Sequence, residues 1–348
     1  MLGKKHTLLQ KNKTIRRIIN KNKMQKIISP VPTNELLKEL TEDKFIRDTN
    51  KAKNKIYIFS HHDSPNLMRE VARLREITFR EAGGGTGNEL DIDKFDTCEN
   101  PYKQLIVWDP KAKEIVGGYR FILTRDVAKD ENGSPILATS RLFDFSDKFK
   151  KDYLPYIIEL GRSFIQPDYQ SIKLHTKSIF SLDNLWDGLG ALIVDNPDIK
   201  YFFGKVTMYP HYNIEARNLL LFFINKYFKD EENLISLKKP LKIKWDTEKL
   251  SKLFSGNSYK EDYKILSKEI RAYGENIPPL VNAYMNLSPN MKTFGTSINP
   301  HFGNVEETAI LISIKDTYEA KINRHLLSYK MFLEEVKKNI LHKKNHKI

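Results

Sequence analysis

Two kinds of apolar spacing alternate along most of this chain, and the alternation limits the folds that it can adopt. Residues 55–59, 104–108 and 201–208 read as short strands, in part because apolar and polar residues alternate. Between such runs, residues 67–79 and 215–228 carry apolar side chains at helical spacing. Strands that alternate with helices predict an α/β or α+β fold with a mixed sheet.

The composition excludes several classes of protein. Of the 348 residues, 40% are hydrophobic, which is enough for a substantial core and rules out wholesale disorder. No run approaches 18 consecutive apolar residues, so we expect no transmembrane helix. The single cysteine, Cys98, excludes a disulfide framework and a four-cysteine zinc site, and it indicates a reducing compartment. No other spacing predicts a metal site.

The formal net charge of +14 is concentrated at the two ends of the chain. Residues 1–29 hold nine basic residues and residues 337–348 hold five lysines, and neither segment contains an acidic residue. Basic ends attract anionic surfaces such as acidic lipid head groups. Apolar residues within 7–20 lie near one helical face, a pattern suited to a membrane surface, although a solvated tail explains the charges equally well. The ends lack interleaved aromatic residues and a recognition motif, so nucleic acid is not expected as a partner.

Several charged residues interrupt apolar segments of the chain. Glu159 and Arg162 lie in the strand-like segment 156–164, Arg120 lies in another strand pattern, and Arg75 lies in a helical one. A buried charge is costly unless it is paired, so each of these residues either forms a structural ion pair or lines a cleft. Three arginines and one glutamate together indicate a polar pocket that accepts an anion.

The order of these motifs resembles a known family. Short motifs at 74–80, 93–96, 118–121 and 159–163 follow one another as in the autoinducer-synthase-like branch of the GNAT superfamily. Over about residues 24–316, the chain resembles the ornithine/glycine lipid N-acyltransferase family, often labelled hemolysin-like, and in particular its Bacteroidetes glycine subgroup.

The resemblance implies a GNAT-like fold, with a mixed and mostly antiparallel sheet flanked by helices and followed by a C-terminal extension. We therefore expect a basic tail and linker over 1–34 and an acyltransferase core over 35–230. An extension over 231–316 would pack on the core, and 317–348 would form a C-terminal helix with a basic tail. Residues 235–258 are polar, and we expect them to form an irregular insertion.

The activity implied by the resemblance is transfer of a 3-hydroxy fatty acyl group from acyl carrier protein to the α-amine of glycine, with ornithine as the second choice. The product would be a lyso-aminolipid. No cofactor is implied beyond the phosphopantetheine thioester of the donor. Such an enzyme would be cytoplasmic and peripheral at the inner face of the membrane, with acyl carrier protein, a small amino acid and an anionic membrane surface as partners.

The resemblance also implies residue roles. Glu159 would be the catalytic base, because an amine must be neutral to attack a thioester. Arg162 would act beside it, and Arg162 and Arg120 would grip the acceptor carboxylate or order the site. Arg75, Asp93 and Asp96 would hold an N-terminal lid. The matched residues on the substrate side are Arg75, Phe79, Asp93, Asp96, Arg120 and Ser163.

The donor site departs from the usual GNAT pattern, which is Gln/Arg-x-x-Gly-x-Gly/Ala. Here Leu185 replaces the first residue, whereas Gly188, Leu189 and Gly190 keep the glycine spacing. Glycines near a helix start would expose backbone N–H groups to a phosphate, although close packing of the helix on the sheet explains them equally well. The resemblance implies that these three residues bind phosphopantetheine rather than coenzyme A.

Two other functions compete with this one. The same fold in an acyl-homoserine-lactone-type synthase would use S-adenosylmethionine as the acceptor. A non-enzymatic membrane-binding protein would explain the basic amphipathic N-terminus.

Overall fold

The structure is a computed structural model that describes residues 24–170, 179–256 and 258–345, with only the backbone described for 339–345. The amphipathic pattern expected over 7–20 therefore lies outside the described residues, as does most of the basic N-terminal segment.

Eight strands form the central sheet, in the order β1-β2-β3-β4-β6-β7-β10-β9. Every neighbouring pair is antiparallel except β6 and β7, which are parallel. A separate antiparallel pair consists of β5 and β8. The strands are β1 (Phe45–Asp48), β2 (Lys55–Phe59), β3 (Lys103–Asp109), β4 (Glu114–Leu123), β5 (Phe143–Phe145), β6 (Ile157–Ile165), β7 (Tyr201–Met208), β8 (Ile235–Leu237), β9 (Lys292–Asn299) and β10 (Val305–Ser313).

Helices cover both faces of this sheet. The described helices are α1 (Thr33–Glu39), α2 (Pro65–Glu81), α3 (Lys94–Thr97), α4 (Ser181–Asp195), α5 (Ile214–Phe228), α6 (Thr247–Leu253), α7 (Tyr259–Ala272), α8 (Pro279–Met285), α9 (Glu319–Ile322) and α10 (Ser328–Asn345). One face, here called the α2 face, packs Leu67 and Val71 of α2 against Ile106 of β3. On the opposite α4 face, Leu189 and Leu220 belong to the cluster that includes Leu105.

This architecture confirms the expected fold class: a mixed, mostly antiparallel sheet flanked by helices. The strands expected at 55–59 and 201–208 have the predicted bounds. Among the described residues, no helix combines the length and the apolar character that crossing a membrane requires.

The expectation of an irregular segment over 235–258 is wrong, because the segment contains β8 and α6. β8 has only three residues and pairs with β5, about 90 residues earlier in the chain. Leu241, Ile243 and Trp245 pack against the core of the α4 face. A strand this short has too few residues for its alternation to be recognised, and distant contacts decide its conformation.

The sheet continues into the C-terminal third of the chain. Strand β10 pairs with β7 over its length from Glu306 to Ser313, and β9 forms the edge beyond it. Division of the chain into a core over 35–230 and an extension over 231–316 stays a prediction. Within the sheet, strands from the two ranges are direct neighbours.

The parallel pair β6 and β7 is short. Pairing runs only from Ile157 to Glu159 on β6 and from Tyr201 to Phe203 on β7. Gly204 follows, and a Cβ at this position would lie 2.6 Å from the carbonyl oxygen of Leu160, so a side chain there would collide with β6. Beyond this contact the two strands lose their pairing, and the sheet opens at this point.

Candidate active site

A cavity of about 480 Å³ lies where β6 and β7 part. Tyr119 and Arg120, which are consecutive on β4, both line it. Because successive side chains of a strand point to opposite faces, the cavity reaches both sides of the sheet. Its lining on the α2 face includes Glu159, while Leu182 and Tyr284 line it on the α4 face. This arrangement joins a charged end to a mostly apolar end through the sheet.

Glu159 is positioned at the junction of these two ends. It is the last residue of β6 that pairs with β7, and only 1% of its surface is exposed. Its carboxylate accepts hydrogen bonds from the Tyr102 hydroxyl and from the Thr139 backbone N–H at 3.1 Å. The hydroxyl of Tyr102 in turn accepts the Ala138 N–H at 3.0 Å. Burial raises the pKa of Glu159, and these hydrogen bonds oppose only part of the effect.

Three arginines and three aspartates form a buried cluster behind this carboxylate. Arg75 is fully buried and donates to Asp91 at 3.0 Å and to Asp96 at 3.2 Å. Arg120 donates to Asp93 at 2.9 Å and to Asp96 at 3.2 Å. Burial opposes ionisation of Asp96, but the guanidinium groups of Arg75 and Arg120 outweigh it and hold its pKa well below the usual range. Asp96 therefore stays ionised and is paired with both guanidinium groups.

The local sequence explains how the carboxylates reach the arginines. Asp93 caps α3 by accepting the Phe95 N–H at 2.9 Å, and Asp96 returns the interaction by accepting the Asp93 N–H at 3.0 Å. This capping box fixes both side chains at the start of α3. The short acidic segment thus serves as a rigid set of acceptors for Arg75 and Arg120.

Arg162 occupies an unusual backbone position on β6. Its φ of +49° lies in the left-handed region, and the β4–β6 register shifts nearby, between Gly118 and Arg120. In a regular strand Glu159 and Arg162 would point to opposite faces. The irregularity lets Arg162 reach Asp91, with its Nε 2.9 Å and 3.1 Å from the two carboxylate oxygens, and lie 4.3 Å above the ring of Phe302.

The structure brings the expected substrate-side residues together in two layers. Phe79, Arg120, Glu159, Arg162 and Ser163 line the cavity. Their roles in binding or catalysis stay predictions. Arg75, Asp93 and Asp96 lie behind the cavity in the ion-pair cluster.

The N-terminal segment is described from Met24, and its role as a lid held by Arg75, Asp93 and Asp96 stays a prediction. The Gln25 N–H donates to the Gly87 carbonyl oxygen, and Arg80 donates to the Gln25 carbonyl oxygen, each at 2.8 Å. Glu76 holds the same glycine-rich loop by accepting the Gly87 N–H at 2.8 Å. The N-terminal segment is thus fastened to the loop that leads from α2 to the aspartates.

The three residues expected at the phosphopantetheine, Gly188, Leu189 and Gly190, are not brought to the cavity. Helix α4 begins at Ser181, so these residues lie in its interior, whereas only the first four N–H groups of a helix are free. The expectation that the glycines expose N–H groups near a helix start is therefore wrong. Close packing explains them: a Cβ on Gly188 would lie 2.7 Å from the Leu105 side chain, and one on Gly190 would lie 2.5 Å from the His325 carbonyl oxygen. No described contact supports the phosphopantetheine role, which stays a prediction.

Sequence reasoning missed four residues of the site. Tyr102 and Thr139 contact Glu159, and nothing in their local sequence indicates this. Lys205 of β7 and Glu307 of β10 form an ion pair in the cavity wall, and burial lowers the pKa of Lys205. Lys205 carried the same signal that identified Arg120, because it is a single charge within the apolar run 201–208.

In the described part of the chain, no three His, Cys, Asp or Glu side chains are grouped as a metal site requires.

Comparison with known proteins identifies the family of this chain. Residues 74–177 match the family described as the acetyltransferase (GNAT) domain. Together with the two relatives described next, this match gives the class: an N-acyltransferase of the GNAT superfamily.

The particular family follows from two relatives. The glycine N(alpha)-acyltransferase of Phocaeicola vulgatus is 56% identical over 306 residues, which cover 88% of this chain and 94% of that protein. The protein of the same name from Bacteroides thetaiotaomicron is 57% identical over 306 residues, covering 88% of this chain and 91% of its own. The chain belongs to the glycine N(alpha)-acyltransferase family, which confirms the resemblance seen in the sequence.

Solved structures add a distant likeness. A CoA-dependent acyl-homoserine lactone synthase, BjaI, with bound SAM and isopentyl-CoA, is 10% identical, with a TM-score of 0.34, and the match covers 80% of this chain and 90% of that one.

Proposed function

We propose that this protein transfers a 3-hydroxy fatty acyl group from acyl carrier protein to the α-amine of glycine, so that an N-acylglycine is formed. The names of the two relatives support N-acylation and glycine as the acceptor. The order of the sequence motifs supports a carrier-protein donor and a lipid product.

The observation that carries the proposal is the cavity that crosses the sheet beside Glu159. Its charged end, with Arg120, Arg162 and Lys205, suits a small zwitterion. Its other end, with Leu182, Pro279, Leu280, Tyr284 and Ile312, suits an acyl thioester. A carboxylate with a raised pKa stands between the two ends, where an amine and a thioester would meet.

The reaction needs one proton acceptor and one oxyanion site. The neutral amine attacks the thioester carbonyl carbon, so a C–N bond forms and the carbonyl oxygen becomes negative. Glu159 accepts a proton from the nitrogen, the C–S bond then breaks, and the departing thiolate takes the proton from Glu159. General base catalysis of this kind contributes roughly 10²- to 10⁴-fold.

The oxyanion requires donors that point into the opening of the sheet. We propose backbone N–H groups of β6 beyond Glu159, where the pairing with β7 has ended. Arg120 and Arg162 order the site in this proposal, since both are held by aspartates of the buried cluster.

The proposed location is the cytoplasm, at the inner face of the membrane. The single cysteine and the carrier-protein donor support the compartment. The basic residues at the two ends of the chain support contact with an anionic lipid surface, into which an acylated product would partition.

The test uses purified full-length protein with 3-hydroxypalmitoyl-carrier protein and separate reactions with glycine and ornithine. Thiol release is followed continuously, and the product is identified by mass. Release that depends on glycine, with an N-acylglycine product, is expected. Release with ornithine alone would overturn glycine as the acceptor. Parallel reactions use coenzyme A thioesters, and release with these alone would overturn acyl carrier protein as the donor. No release from either donor with any amine would overturn the proposed function.

A further inference from the structure

A second charged pair, separate from the arginine–aspartate cluster, lies in the cavity wall. Lys205 is on β7, two residues beyond Phe203, where pairing with β6 ends. Glu307 is on the neighbouring strand β10, opposite Thr207. The ammonium of Lys205 contacts the carboxylate of Glu307, which also accepts the Asn299 side-chain amide at 3.0 Å.

Lys205 and Glu159 share one face of the sheet. Phe203 is the partner of Glu159 in the parallel pair, and residues two apart on a strand point to the same side. Lys205 therefore lies beside Glu159, displaced by two strand residues, or roughly 7 Å, along β7. An α-amino acid carries its amine and its carboxylate on one carbon. It would therefore fit between a base and a cation at this spacing.

Lys205 keeps donor capacity that its ion pair does not use. Arg120 donates from both terminal nitrogens to Asp93 and also to Asp96. The Nε of Arg162 is bound to Asp91, and its guanidinium lies over Phe302. Among the described residues, the ammonium of Lys205 contacts Glu307, which accounts for one of its three N–H donors. About 14% of the Lys205 side chain is exposed, on a wall of the cavity.

Glu307 would determine which side chains the site excludes. Its side chain is 2% exposed and is already neutralised by Lys205. A second ammonium group on the acceptor, as in ornithine, would find this carboxylate occupied, and an unpaired buried charge is costly. The aromatic rings of Phe79, Tyr209 and Phe302 also line the cavity and limit the space beside the pair.

We propose that Lys205 binds the carboxylate of the amino-acid acceptor and that its pairing with Glu307 selects a small, uncharged amino acid. This inference rests on the proposed function and names the acceptor-binding residue of the same site.

The test compares glycine with glycinamide, which keeps the amine but lacks the carboxylate, as acceptors for wild type and for Lys205→Met. The intrinsic difference in reactivity between the two amines is the same for both enzymes, so it cancels in the comparison. A charge-assisted hydrogen bond implies that wild type loses about 10- to 100-fold in kcat/KM on passing from glycine to glycinamide. Lys205→Met should lose most of this preference, through a higher KM for glycine and an unchanged KM for the acyl donor.

The matched control is Lys226→Met, which removes another lysine paired with a buried carboxylate, that of Asp262, outside the cavity lining. It should keep the preference of wild type for glycine. A Lys205→Met enzyme that keeps this preference would overturn the inference. If the wild-type enzyme acylates neither amine, the proposed function itself is wrong.

Lys205→Met leaves Glu307 without its ion-pair partner, so the variant can lose its fold for that reason alone. The double variant Lys205→Met/Glu307→Gln removes both charges together and gives the same comparison. Loss of the preference for glycine in the double variant supports the inference, and retention overturns it. In a folded Lys205→Met enzyme, the freed Glu307 should also raise the turnover of ornithine relative to glycine at least about tenfold, and an unchanged ratio would contradict its role in selection.

Discussion

At the scale of single residues, the chemistry of this site depends on the partners of each buried carboxylate. Glu159 and Asp96 are both buried carboxylates next to charged or polar partners. Burial raises the pKa of Glu159, whose direct contacts are a hydroxyl and an N–H, whereas two guanidinium groups hold the pKa of Asp96 down. One carboxylate is therefore suited to accept a proton, and the other to remain an ion.

The first residue-scale prediction concerns Glu159→Gln. We expect kcat to fall by roughly 10²- to 10⁴-fold, because the amide cannot accept the amine proton. In wild type, kcat/KM should rise with pH as Glu159 loses its proton, at a pH above the usual range of a glutamate. That rise should disappear in the variant, and pH–rate profiles of thiol release will show it.

The control for this prediction is Glu232→Gln, which changes a partly exposed carboxylate that binds Lys148 and Lys292 outside the cavity lining. It should keep the wild-type rate. Equal rates for Glu159→Gln and wild type would show that another group takes the proton.

The second residue-scale prediction concerns the buried cluster. Arg75→Met leaves the carboxylates of Asp91 and Asp96 without this partner, so the free energy of unfolding should fall by about 3–5 kcal/mol. Arg125→Met removes the solvent-exposed pair with Asp198 and should change the free energy of unfolding far less. Urea denaturation measures both values, and equal effects would contradict the assignment of Arg75 to a fully buried network.

The cluster also predicts how stability depends on pH. The pKa of Asp96 is lower in the folded protein than the ordinary aspartate value of 3.8. Its contribution is therefore fully present above that value and is lost as the pH falls below it. Denaturation between neutral pH and about pH 2 should show this loss in wild type. Arg75→Met should show a smaller change, because the pKa of Asp96 would be less depressed.

At the scale of elements, the glycines of α4 show how a helix is fitted to its neighbours. Gly188 faces the side chain of Leu105 on β3, and Gly190 faces the backbone of His325 in the turn before α10. Glycine weakens the interior of a helix by about 1 kcal/mol relative to alanine, so its presence here reflects the close approach of two other elements.

We therefore expect Gly190→Ala to destabilise the protein, although alanine favours helix. Overpacking typically costs about 1–3 kcal/mol, and a backbone carbonyl 2.5 Å away cannot rotate aside as a side chain can. Gly188→Ala should lower the free energy of unfolding by less, because the Leu105 side chain can adjust. Adding Leu105→Ala to Gly188→Ala should recover part of that loss. Urea denaturation of the single and double variants tests this. A Gly190→Ala protein more stable than wild type would contradict the packing explanation.

At the scale of the whole molecule, the net charge is concentrated at the two ends of the chain. The basic excess lies in residues 1–29 and 337–348, and the sequence between them is formally neutral. Each basic residue near an anionic membrane contributes about 1 kcal/mol of attraction, and salt screens it.

We expect the full-length protein to sediment with anionic phosphatidylglycerol vesicles and not with neutral phosphatidylcholine vesicles. Deletion of residues 1–23 removes most of the basic residues of the N-terminal segment, so binding should weaken several-fold, and rising salt should weaken it further. Turnover of soluble acyl-carrier protein by the deletion variant is the control. Unchanged vesicle binding, with a higher KM for the carrier protein, would assign these charges to donor docking instead.

The sequence by itself determined several of the elements and the class of this protein. Strands β2 and β7 have their predicted bounds, since period-two alternation is a property of contiguous residues. Embedded charges such as Glu159 and Arg120 indicated a polar pocket, because an apolar segment rarely holds a charge without a partner. The family motifs then indicated the class of reaction.

Tertiary structure alone decided which residues meet. Glu159 and Tyr102 are 57 residues apart, and Lys205 and Glu307 come together only because β10 lies beside β7 in the sheet. Because the sheet opens between β6 and β7, both pairs line the same cavity. Strand order depends on contacts between distant segments, and burial depends on strand order, so neither the pKa of Glu159 nor the pairing of Lys205 is a property of local sequence.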